Sequence, residues 1–282
     1  LQWSYHGQDV FYRREGRGHA LVLIHGFPTA SWDWYRIWPE LVERFDVIAP
    51  DMLGFGVSAK PADYDYSLMD QATLHETLLE SLGVTSVDLL AHDYGDTVAQ
   101  ELLARFAERR ARGTGGLEIR SVCLLNGGIF PGVHRPLPVQ RALMSPLGPL
   151  LARFMSRRTL RRSFDKIFGP ATRPTDAEID DFWTLIEHGG GRRIAHKMIR
   201  FMAEREVHRD RWVETITNPV VPVRLVDGTL DPISGARLVA HYRNVVPDPD
   251  VVALDDVGHY PQVEAPRATL DAFLAFIERA IR

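Results

Sequence analysis

This chain has almost no cysteine, no long apolar run and no large excess of charge of either sign, and each shortage removes a class of protein. The single cysteine, Cys123, excludes an internal disulfide and a cysteine-based metal cluster. It sits in an apolar run, so it reads as a small buried hydrophobe rather than a reactive thiol. A reducing compartment is allowed, and the cytoplasm is the expected location. No apolar stretch reaches about 18 residues, so no membrane span is expected. A formal net charge of -4 gives no global attraction to nucleic acid. The start, Leu1-Gln2-Trp3, carries no signal-peptide pattern; whether a segment precedes it is left open. No internal repeat is visible. The Gly113-Thr114-Gly115-Gly116 loop lacks phosphate-binding spacing and reads as a connection. No clustering of ligand-type residues points to a metal or an organic cofactor.

What is there is an ordinary globular balance, 45% hydrophobic and 25% charged over 282 residues. That length fits one large domain or a domain with an insertion. Val10, Tyr12 and the turn residues Glu15 to Gly18 predict an antiparallel hairpin at the start. Leu21–Ile24 and Val47–Ala49 read as strands buried on both faces, Val87–Leu90 as a buried strand, and Ile119–Leu125, Pro222–Val226 and Val251–Leu254 as further strands. Between them lie helical patterns. Ser67 with Asp70 resembles a capping box ahead of Leu68, Ala72, Leu78, Leu79 and Leu82, with Gly83 placed to stop that helix. His75 lies on the same stripe and reads as packing or a satisfied polar contact. Leu270, Phe273, Leu274, Ile277 and Ile281 mark the core face of a final helix. Strands alternating with helices imply an α/β fold with a mostly parallel central sheet and helices on both faces.

Residues 131–210 break this rhythm. They carry no convincing strand and read as an α-helical cap inserted into a core made of residues 1–130 and 211–282. Placed at the C-terminal ends of the strands, the cap would roof a ligand cleft. Arg157, Arg158, Arg161 and Arg162 fall on one helical face. A solvated surface is the preferred reading of that face, ahead of a membrane-surface or anionic-partner patch.

The stretch that organises the chain is Ala91-His92-Asp93-Tyr94-Gly95. It stands between a buried strand and a helix with Val98, Leu102 and Phe106 on one face. A central residue flanked two positions away by small ones, at a strand-to-helix turn, is the pattern of a nucleophile elbow. Here the central residue is Asp. A carboxylate attacking an sp³ carbon that bears a leaving group forms an alkyl-enzyme ester that water can cleave. The competing reading is that Asp93 only caps the following helix. Two loops after later strands supply the expected partners in the expected order. His259, in Gly258-His259-Tyr260-Pro261, is the candidate base. Asp231 would orient it and is preferred to Asp227, four residues earlier, because it lies past the turn made by Gly228. Backbone N–H groups of Phe27 and Tyr94 are the candidate oxyanion hole.

Asp93 in His92-Asp93-Tyr94-Gly95, His25-Gly26-Phe27-Pro28, Asp51-x-x-Gly54-x-Gly56-x-Ser58, Asp231 and His259 together resemble the α/β-hydrolase superfamily, on its epoxide hydrolase and haloalkane dehalogenase branch. Asn126-Gly127-Gly128-Ile129-Phe130-Pro131, His134-Arg135-Pro136, Phe168-Gly169-Pro170, Arg173-Pro174 and His259-Tyr260-Pro261-Gln262 are similar to the mesoderm-specific-transcript hydrolase group. The resemblance implies the α/β-hydrolase fold with a cap and no cofactor. Two departures bear on the reaction. Phe27 and Tyr94 stand where haloalkane dehalogenases usually carry halide-holding Asn or Glu and Trp. No Tyr occurs between Pro131 and Arg211, where epoxide hydrolases usually carry two tyrosines that donate to the ring oxygen. Tyr94, whose side chain should border the cleft, and His134 are the candidate replacements. Trp183 and His188 are lesser ones.

The expectation is an epoxide hydrolase acting on a largely apolar small molecule and releasing a vicinal diol. Phe27, Trp32 and Phe130 would line the cleft with His134, Trp183 and Tyr94, while Trp34 is read as core. The alternatives are a haloalkane or haloacid dehalogenase with the same Asp nucleophile, and a non-catalytic ligand-binding member of the fold. A homodimer is one assembly to test.

Overall fold

The computed structural model describes residues 1–280; Ile281, expected on the final helical face, lies outside the described residues. Eight strands form one sheet: β1 (Gln2–Tyr5), β2 (Gln8–Gly16), β3 (Ala20–Ile24), β4 (Asp46–Pro50), β5 (Ser86–His92), β6 (Glu118–Leu125), β7 (Val223–Gly228) and β8 (Val251–Leu254). Their spatial order is β1-β2-β4-β3-β5-β6-β7-β8. β2 pairs antiparallel with β1 and with β4, and all later pairings are parallel. The helices of the first half are α1 (Trp38–Val42), α2 (Leu68–Ser81) and α3 (Tyr94–Arg112). Between β6 and β7 come α4 (Pro138–Met144), α5 (Gly148–Ala152), α6 (Arg157–Ile167), α7 (Asp176–Glu187), α8 (Ala195–Met198), α9 (Phe201–Val207) and α10 (Arg209–Thr217). The chain closes with α11 (Ala236–Val245), α12 (Pro261–Glu264) and α13 (Pro266–Ala280).

Strand periodicity divides the core. Val22, Ile24, Ile48 and Leu89 face a layer built on α2 and α3, while Leu21, Leu23, Val47, Leu90, Cys123 and Val226 face Trp34, Trp38 and α13. Both faces are covered, which is why these strands read as continuous apolar runs. Burial raises the Cys123 thiol, in keeping with an inert core position.

Two local expectations are corrected. The hairpin closes at His6-Gly7 rather than at Glu15 to Gly18, because β4 lies between β2 and β3. Gly16 pairs with Asp46 there, at φ 94°. A Cβ on Gly16 would sit 2.1 Å from the Phe45 carbonyl oxygen. At the start of α2, Ser67 Oγ accepts from the Met69 N–H at 3.1 Å, but Asp70 does not close a capping box. Its carboxylate accepts from the Tyr5 hydroxyl. Glu204 of α9 takes over the capping work, accepting from Ser67 Oγ at 2.6 Å and from the Leu68 N–H at 2.8 Å. His75 is buried, with Nδ1 2.8 Å from the Gln71 carbonyl oxygen.

The segment between β6 and α10 is helical throughout its regular structure. Leu160, Phe164, Ile167, Ile179 and Phe182 form a small core of their own with Ile233 and Tyr260 from the loops after β7 and β8. Arg157 and Arg161 do not belong to a free basic face. They pair with Asp176 and Asp180 of α7, and Arg161 also with Asp165, leaving Arg158 and Arg162 exposed. Gly16→Ala meets both the positive φ and the close carbonyl, so a loss of about 1–3 kcal/mol or more is expected. Urea unfolding should show it as a lower midpoint with an unchanged slope.

Candidate active site

β5 ends at His92 and α3 begins at Tyr94, so the turn is made by Asp93 alone, at φ 49° and ψ -104°. That backbone is strained for a residue with a Cβ, and packing holds it. A Cβ on Gly95 would sit 2.2 Å from the Ile24 carbonyl oxygen, and one on Gly26 would sit 2.6 Å from His92 Nδ1. Asp93 does not cap α3: its side chain accepts from no N–H of that helix. Its Oδ2 instead accepts from the Phe27 N–H, 3.1 Å away. The side chain is therefore turned out of the helix end and toward the loop after β3.

His259 is held at both ends of its peptide unit. Its N–H donates to the Ile167 carbonyl of α6 at 2.8 Å, and its carbonyl oxygen lies 2.8 Å from His92 Nε2. Glu264 braces the same loop, accepting from the N–H groups of Gly258, Tyr260 and Gly169. His259 Nδ1 meets Asp231 Oδ2 at 2.7 Å. Asp231 is fixed in turn by the Ile233 N–H at 2.8 Å, Ser234 Oγ at 2.6 Å and Asn126 Nδ2 at 3.1 Å. Asn126 also binds both the N–H and the carbonyl of Gly228, clamping the end of β6 to the turn that carries Asp231. Asp227 stays apart, fully buried with neither carboxyl oxygen bonded.

Burial by itself would push the His259 imidazole down. The Asp231 carboxylate and the hydrogen bond to it outweigh that, with help from Asp93, and hold it at about 9. Burial would raise Asp231, but the His259 charge and the bonds from His259, Ser234 and Ile233 keep it below its ordinary value. Asp227 goes the other way. Burial first, then the neighbouring Asp231 charge, raises it well above its ordinary value. Asp96, one turn into α3, is also raised well above its ordinary value by burial, despite accepting from the Leu125 N–H.

The residue that sequence reasoning missed is Arg205, on α9. It is 2% exposed. Its Nε donates to Thr97 Oγ1 at 2.7 Å, its Nη2 donates to the Asp93 carbonyl at 2.9 Å, and Nη2 lies 4.0 Å from Asp93 Oδ1. Burial lowers its affinity for a proton, and Asp93 and Asp96 oppose that. No short motif marks it; a lone arginine 112 positions from Asp93 in a segment rich in arginine carries no signal.

Asp93 and His259 line one cavity of about 100 Å³. Its floor is completed by Phe27 and Pro28, and its walls by Leu143, Met155, Leu160, Phe164, Ile167 and Trp183 from the helices above. Of the side chains expected to touch substrate, Phe27 and Trp183 border this cavity. Tyr94 does not. It is fully buried between the Phe55 and Phe201 rings, with its hydroxyl directed at the Tyr66 carbonyl 3.5 Å away. Helix geometry sends its side chain into the layer over the sheet, away from the cleft. Trp32 stacks on Tyr35 at 4.9 Å, and Phe130 packs edge-on against His241 at 4.9 Å. His134 is half-buried on the Arg205 side, and burial and then that guanidinium lower it to about 4, so it is a neutral imidazole. His188 begins the 3-10 turn after α7. Among the described residues no three His, Cys, Asp or Glu side chains gather as metal ligands.

The family model for the alpha/beta hydrolase fold matches residues 19–266. The mesoderm-specific transcript protein of Mus musculus is 42% identical over 98% of this chain and 84% of its own length. A cis-3-alkyl-4-alkyloxetan-2-one decarboxylase of Shewanella oneidensis is 27% identical over 91% of this chain and 81% of its own. The solved structure of the epoxide hydrolase CorEH superposes with a TM-score of 0.80 at 23% identity, covering 100% of this chain and 99% of that one. A haloalkane dehalogenase variant, DbeA-M1, from Bradyrhizobium elkanii gives 0.82 at 21%, covering 99% and 96%. At those identities the two structures show a shared fold.

The His259–Asp231 pair has a pH signature. A folded His259 pKa near 9, above the unfolded 6.5, means stability that is fully present below about pH 6.5 and is lost as pH rises through 9. Asp231, held below its ordinary value, contributes above about pH 4 and loses that contribution as pH falls. In Asp231→Asn the support is gone, and burial should bring the His259 titration below 6.5. Nitrogen-resolved NMR of the imidazole reads this directly.

Proposed function

This chain belongs to the α/β-hydrolase family, and within it to the group of the mesoderm-specific transcript protein; on that premise we propose that it is a hydrolase that opens an epoxide through a covalent ester on Asp93. The observation that carries the reading is an uncapped carboxylate, held by one backbone N–H, in the same apolar cavity as an imidazole with its own carboxylate partner. Phe27 and Pro28 provide an apolar floor, and the helices of residues 131–210 act as the cap that excludes water.

In the first step an Asp93 oxygen attacks an epoxide carbon, the carbon–oxygen bond breaks, and the released alkoxide takes a proton. With Tyr94 turned away, donors that line the cavity hold or protonate that oxygen: the hydroxyls of Ser156, Thr159 and Ser163, the indole of Trp183, and the imidazolium of His259, which carries its proton below about pH 9. Forming the ester removes the Asp93 charge that helps keep His259 protonated, so the imidazole becomes a better base as the second step needs it. His259 then takes a proton from water, and the hydroxide attacks the Asp93 carboxyl carbon. The oxyanion lies against the Phe27 N–H and, in the same role, the Tyr94 N–H. Collapse expels the diol, with the proton returned from His259, and Asp93 retains one oxygen from water.

Arg205 acts on the second step. A cation 4.0 Å from the Asp93 carboxylate favours the oxyanion and the restored carboxylate over the neutral ester. The same nucleophile suits a second substrate class, a four-membered cyclic ester. Attack on its sp³ carbon would expel a carboxylate, which needs no proton. The 27% relative is named for a reaction of such a ring.

Three outcomes separate these readings. Repeated turnover of an epoxide in ¹⁸O-water should place label in Asp93, and His259→Gln should accumulate a protein adduct of the epoxide's mass, with turnover down by about 10²–10⁴. Carbon dioxide and an alkene from an alkyl-substituted oxetan-2-one would favour the second class, and halide from a haloalkane would replace both. Product formation unchanged in Asp93→Ala would remove the covalent route. Arg205→Met should slow release of the trapped ester by about 10–100-fold, more than it slows ester formation, with Arg205→Lys recovering part of the loss.

A further inference from the structure

The 34 residues from Pro131 to Phe164 contain seven arginines and not one Asp or Glu, in a chain whose net charge is -4. Two of the seven, Arg157 and Arg161, are paired with acids farther along the chain. Arg135, Arg141, Arg153, Arg158 and Arg162 are exposed, and none has a carboxylate partner among the described residues. Interleaved with them is apolar surface that nothing covers. Leu147, Leu150 and Phe154 are 62%, 52% and 69% exposed, and their spacing puts them on one side of α5 and its flanks. Val139, 47% exposed on α4, lies at the rim of the catalytic cavity and lines it.

The charge is concentrated beside this stripe. Pro149 and Arg153, from the same turn as Leu150 and Phe154, line a surface basin of about 450 Å³ with Arg192, Arg193 and His196. Arg192 is 3.3 Å from Glu187, while Arg153 and Arg193 have no acidic partner among the described residues. Large aliphatic and aromatic side chains projecting next to unneutralised guanidinium groups match a surface that is apolar within and phosphate-bearing at its edge. A second copy of this chain fits poorly. A two-fold contact would bring the acid-free stretch against itself, like charge on like.

We propose that the α4–α5 face, with the basin formed by Arg153, Arg192 and Arg193, docks this protein on an anionic phospholipid surface. Leu147, Leu150 and Phe154 enter the headgroup boundary, and the arginines take the phosphates. No helix is long and apolar enough to cross a membrane among the described residues, so the contact is peripheral. Docking sets the Val139 rim of the cavity toward the lipid, a short path for an apolar substrate. The docking stands whatever reaction Asp93 performs; the delivery of substrate rests on the reading above.

The test is sedimentation of the full chain with vesicles of phosphatidylcholine alone and with phosphatidylglycerol added, at low and at physiological salt. Binding should require the anionic lipid and weaken by about tenfold or more as salt rises. The pair Leu150→Asp/Phe154→Asp and, separately, the pair Arg153→Glu/Arg193→Glu should each weaken it by about tenfold or more. All these side chains are on the surface, so thermal melts and Asp93-dependent turnover of a water-soluble substrate should stay as in the parent chain. No binding to anionic vesicles overturns the proposal, as does equal binding to neutral ones. So do variants that sediment like the parent, or an analytical-centrifugation dimer that Phe154→Asp dissociates while vesicle binding persists. Displacement from vesicles by inorganic phosphate alone, at concentrations too low to screen charge, would make the basin a site for free anions and overturn it too.

Discussion

An aspartate at positive φ that begins a helix without capping it is the constraint on which the rest of this structure depends. An Asp at that position ordinarily satisfies the helix's first N–H groups, a contact worth about 1 kcal/mol. Here the backbone turn points the carboxylate elsewhere, and the lost cap is replaced by tertiary contacts. The Asp93 carbonyl is taken by Arg205, its N–H by the Leu125 carbonyl, and its Oδ2 by the Phe27 N–H. Gly26 and Gly95 leave the room in which β3, β5 and α3 can meet around it. The strain is thus stored in a small knot of contacts from four parts of the chain.

Four carboxyl groups, Asp93, Asp96, Asp227 and Asp231, lie at or near this knot. Burial pushes Asp96, Asp227 and Asp231 upward, and their partners oppose it unequally. Asp231 has His259 and four other donors, while Asp96 has one backbone N–H and Asp227 has none. Asp93 has the arginine close by and one N–H.

The helices above the sheet take part in this arrangement. Adjacent residues of α9 do two jobs: Glu204 caps α2, and Arg205 reaches Asp93. Ile167 of α6 holds the His259 backbone, and Glu264 ties the same loop to Gly169. A shift of the upper helices would therefore disturb both halves of the reacting pair at once. This coupling links the cavity's shape to its chemistry, and it links the exposed α4–α5 face, whose Val139 lies in the cavity wall, to both.

The sequence by itself determined the alternation of strands and helices, the turn on which Asp93 sits, and the placing of Asp231 and His259 after later strands. These are local properties: hydrophobic period, turn residues and order along the chain. Only the tertiary structure decided that Asp93 is no cap, that Asp227 stays unbonded beside the Asp231 that reaches His259, and that Tyr94, Trp32 and Phe130 are not among the residues lining the cavity. It also displaced the first hairpin, because β4 enters between β2 and β3. Arg205 had no local mark at all. The physical reason is common to these cases. The direction of a side chain, and the partner that sets its charge, come from elements brought together across a hundred residues or more, and no window along the chain contains both members of such a contact.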